Sequence, residues 1–327
     1  MIEKYYDGAI EQVAAGLGTV EKNHLLVRYS GQFSVENLND TKQLEKNEDI
    51  FVQVHEFETG EITCAYEPYL TMICDGFRRY MTGTFEEFME TCDVYYLHRP
   101  VLLGYFNQDN TGREEIILLD EVAYEQERML AALERMLCAI ADRHPVLFVL
   151  NRFQLASKST MQLTARFLKC ENCNIGLVLG VSDIQAMPEF LVPDWEMLYE
   201  TLDDGSKIYH IGNSGRKKEE TIDDEKYVDY GSEKVYRKLQ NMVEFLDFDQ
   251  AAYYLETIER KIKFDNLLVD DAARFRMWLL FVKVSILRQD IPKALEICED
   301  LEKIHLAGKE EECAYEQDYL IATAYMY

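Results

Sequence analysis

The sequence has no apolar run approaching the ~18 residues of a membrane span, and Met1-Ile2-Glu3-Lys4 does not open a secretory signal. Membrane insertion and export are therefore not expected, and the expected location is the cytoplasm. Positive charge is scarce, with 34 Lys and Arg against 60 Asp and Glu and a net charge of −26. So negative a surface repels phosphate backbones and anionic lipids, so neither a nucleic acid nor a membrane is expected as a partner. The excess acid serves solubility first, with binding of basic partners as the sharper alternative. A disulfide framework is also missing: the eight cysteines are scattered, most in apolar or helical contexts, and read as reduced core thiols. Cys170-Glu171-Asn172-Cys173 is a lone CxxC without a second pair to complete a tetrahedral site, and reads as an ordinary turn. The six histidines form no HExxH, and no GxSxG elbow occurs. With 60 acids, neighbouring carboxylates arise by chance; His55-Glu56 with Glu58, at a strand end, is the most site-like group and still reads as ordinary surface. No catalytic residue, metal or cofactor is expected.

What is present belongs to a folded protein. The chain has 327 residues, 48% hydrophobic and 12% aromatic, enough for the cores of about two domains. Its first part alternates strands and helices as an α/β layer fold does. Helices are predicted over Tyr5–Gly16, Ser34–Lys46, Tyr66–Met81 and Phe85–Leu97, and strands over Leu25–Tyr29, Ile50–Phe57 and Ile208–Ile211. A long helix carries Val122, Met129, Leu133, Met136, Leu137 and Ile140 on one stripe at helical spacing, which reads as core. The unbroken apolar runs Val146–Leu150 and Ile175–Val181 suit a parallel sheet buried on both faces.

The first strand ends in Ser30-Gly31 and leads into a helix, the place where a nucleotide-binding protein carries its phosphate loop. A GxxxxGK[ST] loop needs a second glycine beside the phosphate, a lysine on the outer phosphates and a hydroxyl on magnesium. Laid on Gly31, these positions hold Glu36, Asn37 and Leu38, and each substitution opposes phosphate binding. The later strand Val146–Leu150 runs into Asn151-Arg152-Phe153-Gln154-Leu155-Ala156-Ser157. This resembles the Walker B segment of STAND-type ATPases, the AAA-related signalling ATPases, in which an apolar strand commonly continues as Asp-Asp-Leu-Gln-Trp-Ala-Asp. Gln154 and Ala156 match, whereas Asn151 is neutral at the magnesium-holding position and Arg152 reverses the next charge. Ile175–Val181 is similar to the following sensor strand, with Asp183 near where that family often places an arginine, and Ala65-Tyr66-Glu67-Pro68-Tyr69-Leu70 is similar to its Pro/Tyr-rich lead into a helix. The resemblance spans about residues 1–215 and implies a P-loop NTPase-like parallel sheet that has lost its ATPase chemistry. Its degenerate nucleotide-site positions are Gly31, Glu36, Asn37, Leu38, Asn151 and Arg152.

Residues 216–231 carry the acid runs Glu219-Glu220 and Asp223-Asp224-Glu225 and read as a charged linker. From residue 232 the pattern is helical and repeats: Phe248–Ile258 lies over Ile291–Leu301, with Ala251 and Ala294 at the same place. The repeat resembles the second helix of tetratricopeptide units, although 43 residues exceed their usual period of ~34. Between the copies, Phe275–Leu287 is apolar nearly all round and must be sandwiched between neighbours. Arg274, Arg276 and Lys283 form a basic stripe, read as solvated helix edges first and as a peptide groove second. The chain stops within the apolar segment Tyr319–Tyr327, so a continuation is expected. The combined expectation is a non-catalytic regulator or scaffold that binds a protein or peptide through its repeats. Alternatives are a nucleotide sensor without hydrolysis and the front part of a signalling protein whose effector lies beyond residue 327.

Overall fold

A computed structural model describes residues 2–17, 24–29, 49–58, 60–109, 121–170, 173–182, 187–203, 208–211, 229–304, 319–320 and 322–323. The chain divides into two compact units, Met1–Thr111 with Arg128–Lys226, and Gly112–Glu127 with Tyr227–Tyr327. The predicted helix over residues 34–46 and nearly all of the predicted linker lie outside the described residues.

Among the described residues of the first unit, five strands form one parallel sheet: β1 (His24–Tyr29), β2 (Phe51–Glu56), β3 (Val146–Asn151), β4 (Ile175–Ser182) and β5 (Ile208–Ile211). Their order is β2-β3-β4-β1-β5. Every residue of β3 and β4 is buried, as strands covered on both faces require. Side chains alternate between the faces. On one face Leu25, Val27 and Tyr29 of β1, Leu147 and Val149 of β3 and Val178 of β4 pack against Ala9, Ile10 and Val13 of helix α1 (Ile2–Gly16). Gly176 permits this close approach, because a Cβ there would stand 2.6 Å from Cγ1 of Val13. Phe148 points to the other face, where Tyr69 of α2 (Tyr69–Tyr80) meets it edge-on at 4.8 Å.

The helix predicted over Phe85–Leu97 is corrected: α3 (Phe85–Thr91) ends six residues sooner, and a second helix that the sequence pattern did not predict, α4 (Arg99–Asn107), begins beyond it. Asp93 takes a left-handed backbone (φ 52°) that ends the first, and Pro100 sits in the first turn of the second, where its missing N–H does no harm. The long predicted helix is α5 (Val122–Arg143), in which Met129, Leu133, Met136, Leu137 and Ile140 are buried. Its first residues group with the second unit, and Gln126 there donates from Nε2 to the Leu246 carbonyl at 2.7 Å. Helices α6 (Lys158–Lys169) and α7 (Val192–Asp203) complete the described α-helices of the first unit, and α7 lies where no helix is predicted from the sequence.

The second unit contains α8 (Glu233–Glu244), α9 (Phe248–Phe264), α10 (Asp271–Leu287) and α11 (Ile291–Leu301). The 43-residue sequence repeat is also a repeat of backbone geometry. Leu246 and Gln289 both turn left-handed (φ 65° and 60°). The amides of Asp247 and Asp290 then reach back to the carbonyls of Met242 and Ser285, at 2.7 and 2.8 Å. This six-to-one bond closes a helix and starts the next within three residues. Ala251 and Ala294, one turn later, are fully buried, as close helix approach requires. Helix α10 buries Phe275, Trp278, Phe281, Val282 and Ile286 around its circumference.

Candidate functional site at the carboxyl ends of the strands

Open parallel sheets place ligands beyond the carboxyl ends of their strands, where adjacent connections leave in opposite directions. Here β1 connects toward β2 and its neighbour β4 connects toward β5, so the ends of β1 and β4 form such a point. Gly31, Glu36, Asn37, Leu38 and Asp183 lie outside the described residues, whereas Asn151 and Arg152 lie within them.

Asn151 ends β3 and is completely buried. The Tyr29 hydroxyl, from the end of β1, crosses over β4 and donates to Oδ1 of Asn151 at 2.7 Å. Both residues lie on the α1 face because they share the alternation of Leu25, Val27, Leu147 and Val149. Burial pushes the Tyr29 phenol up to about 12 from its ordinary value near 10, against the opposing pull of the Arg152 charge and the Asn151 hydrogen bond. The Tyr29 hydroxyl is therefore neutral at physiological pH. It satisfies an amide oxygen at the position where the STAND-like pattern expects a carboxylate on magnesium.

Arg152 turns left-handed (φ 54°), opening a short 3-10 turn over Phe153–Leu155. Its Nη2 lies 3.4 Å from Oε1 of Glu56, the last residue of β2, and both side chains are largely buried. Gln154 is buried and bonds Ser182 at the end of β4 in both directions. Its Nε2 donates to the Ser182 carbonyl (3.2 Å), and its Oε1 accepts from the Ser182 amide (3.3 Å). The carboxamide thus occupies backbone groups where a ladder partner would otherwise stand. Of the remaining strand-end group, His55 meets the Phe57 ring edge-on at 4.5 Å and Glu58 is exposed.

A seam of hydroxyls continues from this cluster. Ser157 caps α6 by accepting from the Thr160 amide, and it donates to Oγ1 of Thr160 at 2.9 Å. Thr160 in turn donates to the Glu67 carbonyl at 2.9 Å, and Ser159 accepts from the Tyr66 amide at 3.1 Å. Tyr69 and Thr164 share a 2.6 Å hydrogen bond. The Pro/Tyr-rich segment, with its cis Glu67–Pro68 bond, is therefore tied to α6 through buried hydroxyls. The reach of these hydroxyls across more than 90 residues was not readable in the sequence.

In the second unit, Arg274 pairs with Asp271 at 2.9 Å and Arg276 with Glu233 at 2.8 Å, while Lys283 is exposed. Arg276 also stands over the Tyr236 ring, 5.1 Å from its centroid. The two arginines of the predicted basic stripe are thus engaged with their own unit. The strongest charged cluster lies elsewhere and was missed by sequence reasoning. Buried Glu259 accepts from Lys263 (2.6 Å) and Lys293 (2.9 Å), and both lysines also reach Glu296 at 3.1 and 3.0 Å. Lys263 is raised above its ordinary range, mainly by its bond to Glu259, and Glu296 is lowered by Lys293 and then Lys263. Lys263 stands at i+4 from Glu259, a readable signal, but Lys293 and Glu296 join only when α9 and α11 pack.

Cys170 and Cys173, read as an ordinary turn, are joined by Cys138 of α5, with the three sulfurs within 4.8 Å of one another. The third thiol comes from a helix 32 residues earlier in the chain, a neighbour that the spacing of the CxxC does not announce. Cys313 lies outside the described residues, and no described helix is long and apolar enough to cross a membrane. No known protein family and no curated protein matches the chain.

Proposed function

We propose that the protein is a non-catalytic regulator or scaffold, in which a degenerate STAND-like, P-loop-like sheet serves as a platform and a tetratricopeptide-like helical unit binds a protein or peptide. The observation that carries this reading is the Tyr29–Asn151 pair. The residue at the metal-holding position is neutral, buried and hydrogen-bonded to a neutral phenol. An amide oxygen so engaged supplies no anionic ligand to a hard divalent cation. Arg152, a cation at the carboxyl end of β3, is held by Glu56, which a phosphate would have to displace. Glu36, in the loop sequence, adds a further negative charge against a polyphosphate. The repeated turn of the second unit supports the helical-repeat reading, since stacked helix pairs are recurrent partner-binding surfaces. An acidic partner at Arg276 would have to displace Glu233 only from an exposed pair that solvent screens strongly.

Calorimetric titration of the full chain with ATP and ADP, each with magnesium, beside a hydrolysis assay, tests the platform reading. Neither heat nor turnover is expected. Binding with micromolar affinity or better would replace it with a nucleotide sensor, and Arg152→Ala would then show whether Arg152 substitutes for the missing lysine.

A further inference from the structure

Cys138, Cys170 and Cys173 bring three sulfurs together on the first unit, away from the strand-end seam. Cys173 lies just before the first residue of β4, whereas the seam joins the last residues of β1, β2, β3 and β4. We propose that these three cysteines are a zinc site, with three thiolates on the metal and a water molecule at the fourth corner.

The geometry is near that of a tetrahedral thiolate centre. With Zn–S bonds of about 2.3 Å, sulfurs at tetrahedral corners stand about 3.8 Å apart, so a set within 4.8 Å closes onto the ion with an ångström or less of adjustment. Rotamer changes supply that much without moving the backbone. The elements carrying the ligands are already fixed to each other. Glu134 of α5 and Arg166 of α6 pair at 2.9 Å. Cys138 and Cys170 each stand four residues further on, so the thiols repeat that contact one helical turn along both elements. Cys170 caps α6, its amide bonded to the Arg166 carbonyl at 2.9 Å, and the turn folds Cys173 back so that its thiol donates to the Cys170 carbonyl at 3.8 Å. Cys173 is buried whereas Cys138 and Cys170 are partly exposed, which gives the ion an anchored ligand and a path in from solvent.

Electrostatics favours a cation in the same place. Crowded thiols resist ionising one after another, and a divalent ion among them reverses that preference by compensating all three charges. Binding releases three protons to solvent as three S–H bonds give way to three Zn–S bonds, with no change of oxidation state. A single disulfide, by contrast, would use two of the sulfurs and leave the third beside it.

The test uses the reduced full chain, loaded with zinc, passed over a chelating gel-filtration buffer and analysed for metal. About one zinc per chain is expected, falling at least tenfold in Cys138→Ser and in Cys170→Ser and staying unchanged in Cys64→Ser. Cobalt(II) added to the metal-free wild type needs no substitution and is expected to give thiolate-to-cobalt charge-transfer absorption with intense tetrahedral visible bands. The proposal is overturned by a wild type that retains no zinc and gives no charge-transfer band. Zinc retained in Cys138→Ser overturns it equally, as does a Cys170–Cys173 disulfide that persists in the chain after reduction and zinc loading.

Discussion

The two ends of the same sheet use polar atoms in opposite ways. At the carboxyl ends, where a parallel sheet ordinarily opens to a ligand, Tyr29, Asn151, Gln154, Ser182, Glu56 and Arg152 bond to one another. At the amino end of β4, the sulfurs of Cys138, Cys170 and Cys173 lie within 4.8 Å of one another, and the Cys173 thiol donates to the Cys170 carbonyl at 3.8 Å. Strong donors matched to acceptors make a closed, neutral structure, whereas thiols are weak donors and weak acceptors and hold one another only loosely. A position in the fold where ligands usually bind is therefore a poor guide by itself; what matters is whether the groups there are already used.

Breaking the closed end should have the largest effect. Gln154→Ala removes both bonds to the Ser182 backbone from a buried place, and a loss of about 2–4 kcal/mol in unfolding free energy is expected in denaturant titration. A loss below about 1 kcal/mol would mean that the carboxamide is easily replaced by water.

Tyr29→Phe should follow, with a loss of about 1–3 kcal/mol from the acceptor left at Asn151. Its pH dependence carries the sharper information. The folded phenol has a raised pKa of about 12, so its contribution is fully present below the unfolded value of about 10 and declines as pH rises from there through the folded value. Wild type minus Tyr29→Phe should therefore shrink between about pH 10 and 12, measured as melting temperature against pH.

At the other end of the sheet, Cys138→Ala in metal-free protein should shift stability by less than about 1 kcal/mol, since a partly exposed thiol loses little transfer energy. Comparing melting curves with and without zinc sharpens the contrast, because only the wild type should gain stability from the ion.

The smallest effect belongs to the second unit. Glu296→Gln leaves Glu259 to hold both lysines, and a change of only a few tenths of a kcal/mol is expected at neutral pH because Glu296 is half exposed. Its lowered folded pKa contributes stability present above the unfolded value near 4.3 and lost as pH falls through the folded one, so the difference from wild type should vanish in acid.

Much of this was legible because it depends on local period. The apolar runs of β3 and β4, the core stripe of α5 and the 43-residue repeat were readable without coordinates, since burial and alternation are written into neighbouring residues. The break after Thr91 was not, because Asp93 adopts its left-handed turn without the glycine that usually announces one. The candidate site was half legible. The neutral Asn151 and the cationic Arg152 at the strand end could be read directly, but not that Tyr29, 122 residues away, would occupy the amide.

The sequence alone settles the residue types at the strand ends, the excess of acid and the spacing of the helical repeat, because each is a property of composition or of residues close in the chain. Tertiary structure alone decides which of those residues meet. The order β2-β3-β4-β1-β5 brings the end of β1 across β4 to the end of β3, and the packing of α5 beside α6 brings Cys138 to the CxxC. Both are contacts between segments far apart in the chain, and such contacts arise from the packing of whole elements, which no local pattern encodes.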